Sequence, residues 1–199
     1  RESLLEAHIR QYIEAQTGAE VVFSWQGGEP TLMGLPFFQR VVELQRQYRK
    51  PNQRIENDLQ TNGILLDDEW CAFLKAENFL VGLSIDGPAE LHDRHRYSKG
   101  GQPTHARVMA AVERLHRHGV PFSALCVVNR DTAKRPIDVY RFLRDQVRPR
   151  LIQFTPCIER RDFRHAAPGH WPTERLPVQG SERARPGHPD SVVTEWSID

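Results

Sequence analysis

The sequence has 199 residues, of which 39% are hydrophobic and 27% charged, with a formal net charge of +1. A chain of this length can bury one sizeable core, and its near-neutral charge gives no electrostatic reason to expect nucleic acid or an anionic membrane surface as a partner. No apolar run approaches the roughly 20 residues of a membrane-spanning helix, and the first residues lack the order of a signal peptide.

The three cysteines, Cys71, Cys126 and Cys157, lie far apart in the sequence. An odd, sparse set argues against a disulfide framework and suits a reducing cytoplasm. No two of them have the close spacing of a zinc or iron–sulfur loop, so we expect no metal ligands within this segment and a structural role for Cys157.

Blocks with the period of a helix alternate along the chain with short β-branched and aromatic blocks. Helices are predicted at about 3–16, 35–49, 67–76, 104–118 and 131–145. Strands are predicted at about 21–25, 55–59, 79–85, 122–128 and 151–155. This alternation implies right-handed crossovers and a mostly parallel sheet. The predicted fold class is therefore α/β, with the sheet curled into a full or partial (β/α) barrel.

From Glu159 to Ser191 the sequence is rich in proline, glycine and charge, and no helical or strand period continues. Such a stretch is typical of a loop or linker, and its length places it after a compact domain and not inside one. We expect a barrel portion at 1–158, a linker at 159–199, and a longer protein of which this chain is an internal segment.

Unusual residues follow the predicted strands. These are Gly27-Gly28-Glu29-Pro30, Gln60-Thr61-Asn62-Gly63, Ser84-Ile85-Asp86-Gly87, Asn129 and Pro156-Cys157-Ile158. Ligands of parallel sheets and barrels bind at the carboxyl ends of the strands. The sequence therefore predicts a binding site at this end of the sheet.

The turn at residues 27–30 has the composition of a ligand-binding loop. Gly27 and Gly28 let the backbone approach a ligand closely, Glu29 adds an anion, and Pro30 stiffens the exit. This suits a ligand with both an ammonium and a carboxylate, such as the methionine part of S-adenosylmethionine (SAM). A tight turn chosen only for its geometry is the alternative.

The ordered set of motifs resembles the radical SAM enzymes. Residues 23–32 resemble the GGEP motif of the family's second strand, and residues 59–63 and 81–88 follow in the family's order. Residues 125–128 and 153–158 continue the series, so the resemblance covers about 3–158. It is closest to the anaerobic sulfatase-maturating branch. It implies a radical SAM partial barrel that here lacks its first strand and cluster loop.

The resemblance implies roles for residues at the strand ends. Gly27 and Gly28 would contact the methionine part of SAM, with Glu29 near its ammonium. Ser84 would donate a hydroxyl hydrogen bond to the cofactor, although a strand-end serine can also bond its own backbone.

Other implied contacts lie further along the chain. Arg96 would bind the SAM carboxylate through the planar fork of donors on its guanidinium. Arg94 is the alternative for this role. Arg96 could also be a solvated surface arginine with no ligand. Ile158 would cover the adenine, unless it is simply part of the core. Gln26 and Gln60 are candidates for binding substrate peptide amides, with a purely structural role held equal.

The family's cluster motif, Cys-x-x-x-Cys-x-x-Cys, does not occur in this sequence. We expect it before Arg1. A cysteine-rich domain and the acidic residue that accepts the substrate proton are expected after Asp199. No catalytic residue is therefore expected within the segment, which alone should be inactive.

For the intact protein, the resemblance implies that a reduced [4Fe-4S] cluster splits SAM. The 5'-deoxyadenosyl radical then takes a hydrogen from the β-carbon of a cysteine or serine in a sulfatase, which yields formylglycine (3-oxoalanine). The implied partners are a sulfatase polypeptide and an electron donor such as a flavodoxin or ferredoxin.

Two alternatives remain open. One is another radical SAM peptide modifier, of the thioether-forming type, and the other is a non-catalytic SAM-binding remnant. An ordinary barrel lyase would need a strand-end lysine, which the sequence does not provide.

Five histidines could suggest a metal site, and we interpret most of them as surface residues. They are His92, His95, His105, His116 and His118.

Overall fold

The computed structural model describes residues 3–157. The chain divides into two units, Arg1–Thr155 and Pro156–Asp199, and the fold described here is that of the first. Ile158 and the linker predicted at 159–199 lie outside the described residues, so the predicted domain boundary stays a prediction. In the part of the chain that the structure describes, no helix is long and apolar enough to cross a membrane.

Helices and strands alternate along the described chain. The helices are α1 (Leu4–Ala15), α2 (Leu35–Tyr48), α3 (Asp68–Ala76), α4 (Ala89–His95), α5 (His105–Arg117), α6 (Arg130–Ala133) and α7 (Pro136–Phe142). The strands are β1 (Glu20–Trp25), β2 (Arg54–Thr61), β3 (Leu80–Ser84), β4 (Phe122–Val128) and β5 (Leu151–Pro156). A 3₁₀ turn (Pro30–Met33) precedes α2, and a π-helical turn (Leu143–Val147) follows α7.

The five strands form one sheet in the order β1-β2-β3-β4-β5, in which β1 to β4 pair in parallel. The predicted α/β fold with a parallel sheet is confirmed, and the sheet is an open partial barrel. Because the chain returns to the same end of the sheet through each helix, the loops after the strands meet at one rim.

The two faces of the sheet differ in burial. Phe23, Leu59, Leu83 and Ala124 are buried in the hydrophobic core. Their neighbours alternate to the opposite face, where Ser24, Asp58, Gln60 and Ser84 are exposed or half-buried. We call this second face the inner face. Parallel sheets are usually covered on both faces, so a polar, partly open inner face is typical of a binding surface.

A polar cluster lies within the core beneath β1 and β2. Asn57 and Gln45 exchange amide hydrogen bonds of 2.9 and 2.8 Å, and the indole N–H of Trp25 donates to Asn57 Oδ1 at 2.9 Å. Asn57 and Gln45 are buried. The cluster therefore fixes α2 against the first two strands through satisfied polar groups.

Replacing Asn57 with leucine should lower the free energy of unfolding by about 2–3 kcal/mol, because the Trp25 indole and the Gln45 amide lose their partner in a buried site. Urea denaturation of the intact protein measures this. Gln47→Leu, at an exposed position of the same helix, is the control. Equal losses in the two variants would contradict the account.

The prediction of a single helix at 131–145 is wrong. Asn129 caps α6 by accepting from the backbone N–H groups of Asp131 and Thr132, and the helix ends at Ala133. Pro136 then begins a new helix, since the residue before a proline is disfavoured in helical conformation. The short helix α4 and the 3₁₀ turn were not predicted, because they are too brief to show a period.

Candidate functional site

The turn after β1 presents open backbone at the rim. Gly27 and Gly28 have φ angles of 94° and 60°, a region that favours glycine. A Cβ atom on either residue would have no heavy atom within 4 Å. The glycines are therefore required by conformation and not by packing, and the surrounding space is available to a ligand.

The Glu29 carboxylate joins this turn to the end of β2. Its Oε1 accepts from the Thr31 backbone N–H (3.1 Å), the Thr31 hydroxyl (2.6 Å) and the Thr61 hydroxyl (2.7 Å). Its Oε2 accepts from the Asn62 backbone N–H at 2.8 Å. All four donors are neutral, so these bonds hold the carboxylate without cancelling its charge. The predicted contact between Glu29 and a ligand ammonium stays a prediction.

Ser84 lies on the same rim as this turn. It is the last residue of β3, it pairs with Leu125 of β4, and it is half-buried. β1 and β3 are parallel and separated by one strand, so about 10 Å separates them across the sheet. The two motifs therefore face a common space at the carboxyl ends of the strands.

Arg96 lies just after α4, where it forms an ion pair with Asp86. Its Nε donates to Asp86 Oδ2, and its Nη2 donates to Asp86 Oδ1 at 3.2 Å. The Asp86 side chain is 3% exposed and that of Arg96 is 27% exposed. Arg94, the alternative, is more exposed and pairs with Asp131 at 3.3 Å. Of the two arginines, Arg96 is thus the one held rigidly at the edge of the site.

Gln26 and Gln60 are both exposed near the rim. Gln60 pairs with Gly82 of β3 on the inner face. A Cβ atom at Gly82 would lie 3.4 Å from Gln60 Cγ and 2.8 Å from Leu125 Cδ1. Gly82 therefore leaves the space that these two side chains occupy. The two glutamines remain candidates for contacting a polypeptide.

The surface interpretation is wrong for His92, which is fully buried beneath the rim. Its ring bonds the Asp86 backbone N–H and the Thr104 hydroxyl. Sequence reasoning assigned no role to Asp86, His92 or Thr104. The sequence did offer one signal, since Asp86 directly follows an apolar strand. A carboxylate buried at such a position needs a polar partner.

A family model described as the Radical SAM superfamily matches residues 2–143. The chain belongs to the radical SAM superfamily.

Curated relatives share much of this sequence. The chain is 44% identical over 170 residues to the serine-type anaerobic sulfatase-maturating enzyme of Bacteroides thetaiotaomicron, which covers 83% of this chain and 41% of that enzyme. It is 40% identical over 159 residues to the cysteine-type enzyme of Clostridium perfringens, covering 80% and 42% respectively. The chain thus spans about two fifths of the length of these relatives.

Solved structures share the fold of this chain. The structure of native anSMEcpe with bound AdoMet and the Kp18Cys peptide superimposes with a TM-score of 0.76 at 39% identity, covering 80% of this chain and 43% of that one. The structure of Streptococcus suis SuiB superimposes with a TM-score of 0.58 at 16% identity, which shows a common fold alone.

Two thiols of this radical SAM chain are buried, Cys71 in α3 and Cys126 in β4. Burial raises the pKa of Cys71 to about 11 and that of Cys126 to about 12. Both are therefore protonated thiols at neutral pH and poor nucleophiles.

Iodoacetamide at pH 8 should consequently leave Cys71 and Cys126 unmodified in the native protein and alkylate both after denaturation. Peptide mapping by mass spectrometry reads each position separately. Labelling of either thiol in the native protein at the rate of a free thiol peptide would contradict the assignment.

Proposed function

We propose that this chain is the SAM-binding part of a radical SAM oxidoreductase that oxidises a cysteine or serine of a sulfatase to formylglycine (3-oxoalanine). Its similarity to both serine-type and cysteine-type sulfatase-maturating enzymes supports the reaction class. The observation that carries the proposal is the convergence of the 27–30 turn, Ser84 and Arg96 at one rim of the sheet.

The chemistry of this rim fits SAM. The Glu29 carboxylate follows the open backbone at Gly27 and Gly28 directly, and a carboxylate there suits an ammonium group. Asp86 uses two of the five N–H donors of Arg96, so three remain for a carboxylate. Ser84 adds a hydroxyl that can donate or accept. Together these groups can orient the methionine part of the cofactor.

When bound beside a reduced [4Fe-4S] cluster, SAM supplies the radical chemistry that removes hydrogen from the substrate. Among residues 3–157, no group of three or more His, Cys, Asp or Glu side chains is arranged to hold a metal ion. The described residues thus provide no ligand set for the cluster. Their contribution is to bind the cofactor, orient it and present it to the substrate.

The substrate in this proposal is a sulfatase polypeptide, whose backbone amides would bond the exposed side chains of Gln26 and Gln60. Three further points stay predictions. They are the contact of Ile158 with the adenine, a flavodoxin or ferredoxin as the electron donor, and a cytoplasmic location. The inactivity of residues 1–199 alone also stays a prediction.

The reaction is tested with the intact protein, reconstituted anaerobically with iron and sulfide and supplied with SAM, a reductant and sulfatase peptides containing cysteine or serine. We expect release of 5'-deoxyadenosine together with a loss of peptide mass, and the size of the mass loss identifies formylglycine. Release of 5'-deoxyadenosine with an unchanged peptide, or with a thioether product, would overturn the sulfatase assignment.

Ser84→Ala and Arg96→Ala should each weaken SAM binding by about tenfold, since each removes a hydrogen bond to a polar or charged group. Isothermal titration calorimetry on the intact protein measures the dissociation constants. The matched controls are Ser123→Ala, on β4 at the other end of the inner face, and Arg107→Ala, at an exposed position of α5. Unchanged affinity in both test variants would refute the site.

A further inference from the structure

Three polar side chains are buried together beneath Arg96. His92 is 0% exposed, Asp86 2% and Thr104 4%. Burying polar groups without partners costs free energy, so such a cluster persists only when its hydrogen bonds are satisfied. Nothing in the proposed cofactor contacts requires these residues to be polar.

Their hydrogen bonds run in one direction and end on Arg96. The Asp86 backbone N–H donates to His92 Nδ1 at 3.3 Å, which makes Nδ1 an acceptor. The ring proton is therefore on Nε2, which donates to the Thr104 hydroxyl at 3.2 Å. The Thr104 hydroxyl in turn donates to the Arg96 carbonyl oxygen at 2.6 Å.

The neutral state of His92 agrees with this order. Burial lowers the pKa of His92 to about 4, so the ring carries a single proton at neutral pH. One nitrogen then accepts and the other donates, as the two contacts require.

Arg96 is consequently fixed at two points. Thr104 holds its backbone carbonyl, and the Asp86 carboxylate holds its guanidinium through Nε and Nη2. Asp86 is itself anchored, because its Oδ1 also accepts from the Val127 backbone N–H at 2.7 Å. The free edge of the guanidinium is thereby held in one orientation relative to the ends of β3 and β4.

We propose that Asp86, His92 and Thr104 are positioning residues that preorganise Arg96 to receive the carboxylate of the bound cofactor. This inference rests on the proposed function, since it takes SAM as the ligand. A rigid fork binds a carboxylate with less loss of side-chain entropy than a mobile arginine. The network should therefore affect affinity for the carboxylate selectively.

The test compares SAM with decarboxylated SAM, by calorimetry on the intact protein. Thr104→Val keeps the side-chain shape and removes the hydroxyl, and we expect it to weaken SAM binding by about tenfold while changing the affinity for decarboxylated SAM by less than about twofold. Thr104→Ser, which restores the hydroxyl, should bind SAM within about threefold of the wild type. Ser123→Ala removes a hydroxyl on β4 at the other end of the inner face and should leave the ratio of the two affinities unchanged.

A double-mutant cycle separates positioning from a general loss of structure. If Thr104 acts through Arg96, Thr104→Val should change SAM affinity by less than about twofold in an Arg96→Ala background. If Thr104→Val does not fold, Thr104→Ala replaces it, since alanine has no γ-methyl group to face the Arg96 carbonyl.

The outcomes distinguish the two proposals. Equal weakening of both ligands by Thr104→Val, or the full effect persisting in the Arg96→Ala background, overturns the positioning role while SAM binding by the wild type stands. Failure of the wild-type protein to bind SAM overturns the proposed function, and the positioning role with it.

Discussion

Glu29→Gln is expected to lower the free energy of unfolding by about 2–4 kcal/mol and to weaken SAM binding at least about tenfold. The carboxylate accepts four hydrogen bonds from Thr31, Thr61 and Asn62. A glutamine side chain has only one oxygen, and its NH₂ group cannot accept a hydrogen bond. The donors that bond one of the two Glu29 oxygens would therefore face another donor. The turn at 27–30 then loses its connection to the end of β2, and the open backbone of Gly28 is no longer held in place.

Chemical denaturation and calorimetry on the same preparation measure the two effects. Glu43→Gln is the matched control, because Glu43 pairs with Arg40 at the surface with 60% and 50% exposed side chains, and such pairs contribute little. A Glu29→Gln protein as stable as the control would show that the carboxylate does not join the two strand ends.

Gly63→Ala should lower the free energy of unfolding by about 2–5 kcal/mol, the sum of a strained left-handed backbone and an overpacked core. Gly63 has a φ of 76°, and a Cβ there would lie 2.5 Å from Leu83 Cδ1 and 3.3 Å from Ala111 Cβ. Leu83 and Ala111 are fully buried, so neither can move into solvent. The loop after β2 would be displaced from α5.

Gly101→Ala separates these two causes. Gly101 has a φ of 73° but no heavy atom within 4 Å of a Cβ position, so its substitution costs only the backbone strain of about 1–2 kcal/mol. Thermal and urea unfolding of both variants give the difference. Equal losses at the two positions would mean that the loop at Gly63 relaxes without disturbing the core.

The strand and helix order could be predicted from the sequence because each element has a distinct period. β4 (Phe122–Val128) is an apolar run, and α3 (Asp68–Ala76) has an Asp67 cap and an apolar stripe. The rim motifs could be placed as well, since parallel strands bring their carboxyl ends together. These predictions rest on the spacing of residues along the chain, which does not depend on the exact tertiary packing.

The internal partners of the site could not be predicted in the same way. Glu29 contacts Thr61, 32 residues away, and Asp86 contacts Val127, 41 residues away. Both contacts depend on side-chain direction and strand register. The burial of His92 likewise follows from α4, a seven-residue helix whose length is too short for its apolar face to be recognised.

The division of the helix predicted at 131–145 shows a different cause. Arg135 has φ −132° and ψ 50°, which is incompatible with a continuous helix and follows from the proline beside it. The proline is visible in the sequence, between apolar residues with helical spacing on either side.

In our proposal, the rim formed by the ends of β1, β2 and β3 holds SAM. An anaerobic crystal structure of the intact protein with SAM tests this most directly. We predict that the methionine part lies against the backbone at Gly28, with its carboxylate on Arg96 and the Ser84 hydroxyl bonded to the ligand. SAM bound at the opposite end of the sheet, or out of contact with both Gly28 and Ser84, would contradict the account.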